Sequence, residues 1–242
     1  MVIYKLLEIE LTSDITKALA LANNLINGVE SLIEDCECHN AYISNEFMSL
    51  DELIDEEIEI RLSGCNYKPD NLFELKDLIR FKLIRDIRVE SGDSGTEYRR
   101  LYELVAKLCI EKLVPYMRYV SMKTATTRIE YMYIVLKNGK AELLEGEIDK
   151  ITIPHVDATI MLHTHSSGCI PSPNDLKTAS GLLIDRGLGI GVISPTCYLL
   201  ILRFGPFTEE DYLVLRNLCR PECEYVLPSR KYISKNLVVL IG

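Results

Sequence analysis

The sequence predicts an α/β protein in two parts: a smaller α+β region over residues 1–95, then a region over 96–242 in which helices flank a mixed sheet. Three observations lead to this reading. Two long stretches, about Asp14 to Glu34 and Glu97 to Tyr119, carry apolar residues at helical spacing. Asn138-Gly139 stands between two strand-like runs, the signal of a tight β-hairpin. In the last third, short apolar runs alternate with helical patterns, the order that packs helices onto a sheet.

Taken in chain order, Ile15, Leu19, Leu21, Leu25, Ile26 and Leu32 mark the apolar positions of the first helix. Glu57 to Leu62 (EIEIRL) alternates charged and apolar residues, as a half-buried strand does. A second helix is expected over Asn71 to Arg88, with Arg80, Lys82, Arg85 and Arg88 on its solvated face. Glu90 to Gly95 (ESGDSG) has the composition of a loop, and the boundary between the two parts is set there. Leu101, Leu104, Val105, Leu108 and Leu113 recur on one face of the next helix. Thr127 to Leu136 and Ala141 to Ile148 form the hairpin strands, and Thr159 to Leu162 is a short buried strand leading into His163.

A helix follows over Pro173 to Asp185, then strands over Gly189 to Ile193 and Tyr198 to Phe204. Thr208 to Leu218 reads as a helix opened by a Thr208…Asp211 capping box, with Glu209 and Glu210 in a first turn that favours acids. The tail around Tyr232 to Ile241 ends in an apolar strand-like run. Gly187, Gly189 and Gly191 come after a helix, not before one, so they do not make a dinucleotide fingerprint. They are expected to cap that helix and open a tight strand.

Composition narrows the function classes. Hydrophobic residues at 48% and charged residues at 26% describe a folded globular chain. A net charge of −9 argues against general nucleic-acid binding, which needs phosphate-neutralising cations. No apolar run is long enough for a bilayer, and the opening MVIYKLLEIE lacks the pattern of a signal peptide, so a cytoplasmic location is expected. Most of the eight cysteines are expected to be reduced thiols, Cys169 as a free thiol and Cys197 as a packing residue. Disulfides are the alternative known from intracellular proteins of hyperthermophiles. Neither Cys36 with Cys38 nor Cys219 with Cys223 has the two-residue spacing of a zinc knuckle. His39 is read as a surface turn residue and His155 as a loop residue after Pro154.

Chemistry concentrates in one segment, His163-Thr-His165-Ser-Ser-Gly-Cys-Ile-Pro-Ser172-Pro-Asn-Asp175. Two imidazoles at the end of an apolar strand and a carboxylate at the start of the next helix supply three donors. With water in the fourth position, that set suits a catalytic zinc rather than a closed structural one. A bend of the backbone at the strand's end is expected to bring both rings onto one ion. Ser172 and Asp175 also form a capping box, with Pro173 at the first helical position, and capping and metal binding are expected to compete for the Asp175 carboxylate.

His-x-His, a short loop and then Ser-x-x-Asp, between an apolar strand and a helix, resembles the signature of the JAMM metalloproteases, also called JAB or MPN. The resemblance covers about Thr96 to the C-terminus. The chain departs from it in having Ser166 where proline is usual, and six residues rather than seven between His165 and Ser172. The resemblance implies Zn2+ held by His163, His165 and Asp175, with Ser172 stabilising the tetrahedral intermediate or positioning the attacking water. It further implies an upstream glutamate as general base, and Glu130 occupies the corresponding place. With the turn at Asn138-Gly139, Glu130 falls opposite Glu147, the next candidate, followed by Glu145 and Glu142.

The activity implied is cleavage of an isopeptide or peptide bond, releasing a ubiquitin-like modifier or processing a sulfur-carrier protein with a C-terminal Gly-Gly tail. The rival reading is a non-catalytic MPN-like scaffold or assembly subunit; a third, a DNA-repair-associated relative, fits the acidic charge poorly. Oligomerisation stays open.

Overall fold

A computed structural model of the chain describes residues 5–7, 13–65, 72–148, 156–218 and 230–242. His155, Cys219 and Cys223 lie outside them. In chain order the elements are β1 (Lys5–Leu7), α1 (Asp14–Asp35), β2 (Asn40–Ile43), β3 (Glu57–Ser63), α2 (Phe73–Arg80), β4 (Asp86–Ser91), β5 (Thr96–Glu97) and α3 (Arg100–Leu108). A π turn, Cys109–Leu113, leads into α4 (Val114–Thr127), followed by β6 (Ile129–Leu136), β7 (Ala141–Ile148), β8 (Ala158–Thr164) and α5 (Pro173–Ile184). The chain closes with β9 (Gly189–Ile193), β10 (Tyr198–Arg203), α6 (Glu209–Leu218), β11 (Arg230–Tyr232) and β12 (Leu237–Ile241). The protein is α/β, with two mixed sheets flanked by helices. No helix among the described residues is long and apolar enough to cross a membrane.

The chain divides into two compact units, residues 12–105 with 137–140, and residues 1–11, 106–136 and 141–242. In the first, the sheet runs β4-β3-β2-β5, with β3 and β4 parallel and the other pairs antiparallel. Its longest helix, α1, starts at Ser13, whose hydroxyl accepts the Thr16 N–H while the Thr16 hydroxyl accepts the Ser13 N–H. The loop-like stretch at Glu90 to Gly95 belongs inside this unit, because β4 and β5 on either side of it both join the same sheet. The passage to the second unit comes within α3, between Val105 and Ala106.

Two helical expectations are revised. The helix expected over Asn71 to Arg88 stops at Arg80, because Lys82 takes a left-handed conformation (φ 56°) and the Leu83 N–H reaches back to Leu78 O at 2.9 Å. Ile87 and Val89 then pair beside Ile58 and Ile60 in β4, so the basic residues sit on a helix, a turn and a strand instead of one helical face. The helix expected to end at Tyr119 continues to Thr127, interrupted by the π turn. Pro115 explains the interruption: it has no N–H to give Glu111 O and its ring crowds that carbonyl. One extra residue in the turn absorbs the misfit, and the Val114 N–H bonds Cys109 O, five residues back.

The second unit is built on a sheet of order β1-β7-β6-β8-β9-β10-β12-β11. Only β8 and β9 run parallel, joined by the crossover helix α5. Every residue of β8 is buried, as a strand with helices on both faces requires. On one face Met132, Met161, Ile190 and Ile201 pack with Leu176, Ala179 and Leu183 of α5 and with Leu215 of α6. On the other lies α4, where Tyr116 meets Tyr133 at 5.5 Å between ring centroids. Gly191 faces α4 between Leu162 and Leu200, and a Cβ there would lie 2.6 Å and 2.4 Å from their methyl groups. The left-handed cap of α5 is Arg186 (φ 63°), with Gly187 behind it and Gly189 opening β9. The tail ends in the expected apolar strand, β12, which pairs with β11 as a hairpin.

Asp211, fully buried at the start of α6, ties that helix to the hairpin. Its carboxylate accepts from the Thr208 amide (2.8 Å) and hydroxyl (2.7 Å), the Ser234 hydroxyl and the Asn236 side chain (3.3 Å). Burial opposes its charge, but these donors outweigh burial and hold its carboxyl below the usual carboxylate range. A depressed folded value means that the stability it contributes is complete above the unfolded pKa of about 4 and is lost as the pH falls through the folded value. Asp211→Ala should cost about 2–4 kcal/mol at pH 7 by leaving buried donors unpaired. Urea melts of the variant and parent at pH 7 should show this gap, and melts at lower pH should show it closing; a gap that widens on acidification refutes the assignment.

Candidate metal centre

The site forms where β8 ends. His163 pairs with Met132 across β6 and with Val192 across β9, and its side chain lies on the face covered by α5. His165 follows two residues later, its N–H still bonded to Ile193 O at 2.9 Å. Residues i and i+2 of a strand share a face, so no bend is needed to bring the rings together. Their centroids stand 4.9 Å apart, edge to face, with the two Nε2 atoms 3.1 Å from each other.

Asp175 reaches the same point from the first turn of α5. Its Oδ1 is 3.2 Å from His163 Nε2 and its Oδ2 is 3.6 Å from His165 Nε2. Oδ2 also accepts the Ser172 N–H at 2.6 Å, so the carboxylate caps the helix and faces both imidazoles at once. Ser172 completes the box by accepting the Asp175 N–H at 3.2 Å. Used as an acceptor, its hydroxyl keeps a proton to donate. Burial works against the charge of Asp175, but hydrogen bonds from His163 and His165, the charge of His163 and the Ser172 amide outweigh it. The carboxyl is held well below the ordinary carboxylate range.

The donor atoms of His163, His165 and Asp175 all lie within 4.8 Å of one another, the one such group of three among the described residues. Two imidazole nitrogens and a carboxylate facing a common point can be joined by a shared proton, as in the hydrogen bonds to Asp175, or by a cation. The histidines are 3% and 19% exposed and the aspartate 18%, which leaves one side of the group open to solvent. That donor set, with an open side, could hold a metal ion.

Glu130 lies at the start of β6, on the face shared with Met132 and therefore with His163. Burial raises its carboxyl above the ordinary value; His163 and His165 pull it down and Asp175 pushes it up, so it senses all three residues. The register places Tyr131 opposite Glu145 and Ile129 opposite Ile148, a bulge that sets Gly146 and Glu147 together against Glu130. Glu147 is exposed. Glu145 is taken up by the Tyr131 hydroxyl (3.0 Å) and by Lys123 (3.8 Å), and Glu142 pairs with Ile134, farther along the strand.

Two features of the site escaped the sequence reading. Cys169 and Cys197 form a disulfide, their Cα atoms 5.9 Å apart, pinning the loop after His165 to the turn between β9 and β10. The loop folds back over that turn because His165 continues the pairing with β9, bringing two cysteines distant in sequence within bridging range. A second disulfide joins Cys38 to Cys65, while Cys36 and Cys109 are buried thiols outside any disulfide, the pKa of Cys109 pushed up to about 12 by burial. His39 is exposed beside that bridge and belongs to no donor cluster among the described residues. The other feature is Thr164, whose hydroxyl accepts the Tyr131 N–H at 2.9 Å. No protein-family model, curated protein or solved structure matches the chain.

Ser172→Ala should lower stability by about 1 kcal/mol through loss of the cap, measurable by chemical denaturation. No change would mean that the Ser172–Asp175 box does not form in solution. Peptide mapping without reductant should recover Cys169 and Cys197 in one linked fragment, and two alkylated thiols instead would contradict the placement of the loop.

Proposed function

We propose that the chain is a zinc-dependent hydrolase of the JAMM type that cleaves isopeptide or peptide bonds, removing a ubiquitin-like modifier from protein conjugates. The observation that carries this reading is the convergence of His163, His165 and Asp175 donor atoms within 4.8 Å, with Glu130 facing them from the neighbouring strand. His163 and His165 would hold the ion as neutral ligands, and Asp175 as an ionised one fixed by its bond to Ser172. Zinc at such a site lowers the pKa of water towards about 7 and polarises a carbonyl.

The chain's own groups do the rest. Glu130, its carboxyl raised by burial, takes a proton from the attacking water and returns it to the leaving amine. Ser172 donates its hydroxyl proton to the carbonyl oxygen as negative charge builds there. The buried side of His163 and the α5 cap keep these groups from rearranging during the reaction. The substrate class, a ubiquitin-like or sulfur-carrier protein with a Gly-Gly tail, rests on the resemblance of the His163–Asp175 segment. A cytoplasmic setting goes with it, and two disulfides accord with an intracellular protein of a hyperthermophile.

The chain purified without added metal should carry about one zinc, lost in His163→Ala and in Asp175→Ala. Glu130→Gln should keep the metal and slow release of a reporter fused behind a Gly-Gly tail by about 100-fold or more. A parent chain that takes up no zinc even after remetallation removes the hydrolase reading and leaves the non-catalytic scaffold.

A further inference from the structure

The pairing of β6 with β8 ends at His163, the first residue of the metal centre. Met132 faces His163, and the same register continued would set Tyr131 against Thr164 and Glu130 against His165. At that rung the Tyr131 N–H is bonded to the Thr164 hydroxyl, at 2.9 Å. The hydroxyl lies 2.6 Å from that of Thr124 on α4, and both threonines are fully buried. By strand alternation the Thr164 side chain points to the α4 face, away from the imidazoles on either side of it in sequence. It therefore acts on the centre without entering it.

We propose that Thr164, braced by Thr124, is a positioning residue for this centre. Its hydroxyl occupies the amide of Tyr131, parts the ends of β6 and β8, and holds Glu130 at a standoff from His163 and His165 that admits a water. This rests on the metal-centre reading above and adds to it the device that sets the distance between base and ligands. Valine has the shape of threonine without the acceptor, so it would leave the Tyr131 amide and the Thr124 hydroxyl facing an apolar group. Serine keeps the acceptor.

The test uses the full chain in five forms: parent, Thr164→Val, Thr164→Ser, Thr124→Val and Glu130→Gln. Amide exchange at Tyr131 reads the hydrogen bond with no metal present. Uptake of Zn2+ and the visible absorption of the Co2+-loaded protein read the centre. In Thr164→Val the Tyr131 amide should exchange about tenfold faster. Its Co2+ spectrum should move in the direction of Glu130→Gln, with metal still bound. Thr124→Val should move the same way, and Thr164→Ser should stay with the parent.

An unchanged Tyr131 amide in Thr164→Val overturns the proposal. So does a lowered melting temperature with the parent's Co2+ spectrum, which is the signature of a merely structural threonine. A parent that binds neither ion removes the centre itself, and that failure is told apart by the absence of metal in every form.

Discussion

The two oxygens of the Asp175 carboxylate face different partners, and the geometry of the site follows from that division. Oδ2 accepts the Ser172 amide and so fixes the first turn of α5, while Oδ1 is left to His163. α5 is the crossover between β8 and β9, so its starting point is set by the packing of Leu176, Ala179 and Leu183 against the sheet. The aspartate is thereby positioned by the hydrophobic core, through the cap, relative to histidines positioned by the same core through β8. Two regular elements, a strand and a helix, hold the donor group. Sites set on helices and strands in this way keep their geometry better than sites carried on loops.

The location has a topological reason. In a sheet with a parallel pair, the crossover must leave from the C-terminal end of one strand and return to the N-terminal end of the next. The space beyond the strand's C-terminal end is where chain segments part and a ligand can enter. Every residue of β8 is buried, yet the chain emerges there at His165, just beyond the strand's end. The disulfide between Cys169 and Cys197 limits how far the intervening loop can move from that opening.

Much of this was legible in the sequence where a local signal and the tertiary demand agree. Asn138-Gly139, the apolar run before His163 and the Ser172…Asp175 box each state their structure locally, and β7, β9 and the start of α5 fall where they were expected. The misreadings share a cause. Arg80 to Arg88 has charges at helical spacing, but the partner strand β3 decides the conformation of Ile87 and Val89. The pairing of Cys169 with Cys197 and the bond from Tyr131 to Thr164 join residues 28 and 33 apart in sequence, and no local pattern announces either. Glu130 was identifiable from its place at the start of the strand before the hairpin turn, whereas the bulge that sets Gly146 and Glu147 together against it is not revealed by periodicity.

The hairpin of β6 and β7 carries an arithmetic consequence. Side chains alternate between faces, so the number of residues from the Asn-Gly turn to Glu130 decides, by being even or odd, which face the acid occupies. One residue gained on β6 would hand Glu130 to the α4 face; two would return it to the histidines, displaced along the strand. The surplus residue sits on β7 instead, at Gly146 and Glu147, where it disturbs the neighbour and leaves the count on β6 intact. Length variation in this hairpin is therefore absorbed by a bulge in β7 and quantised in pairs in β6.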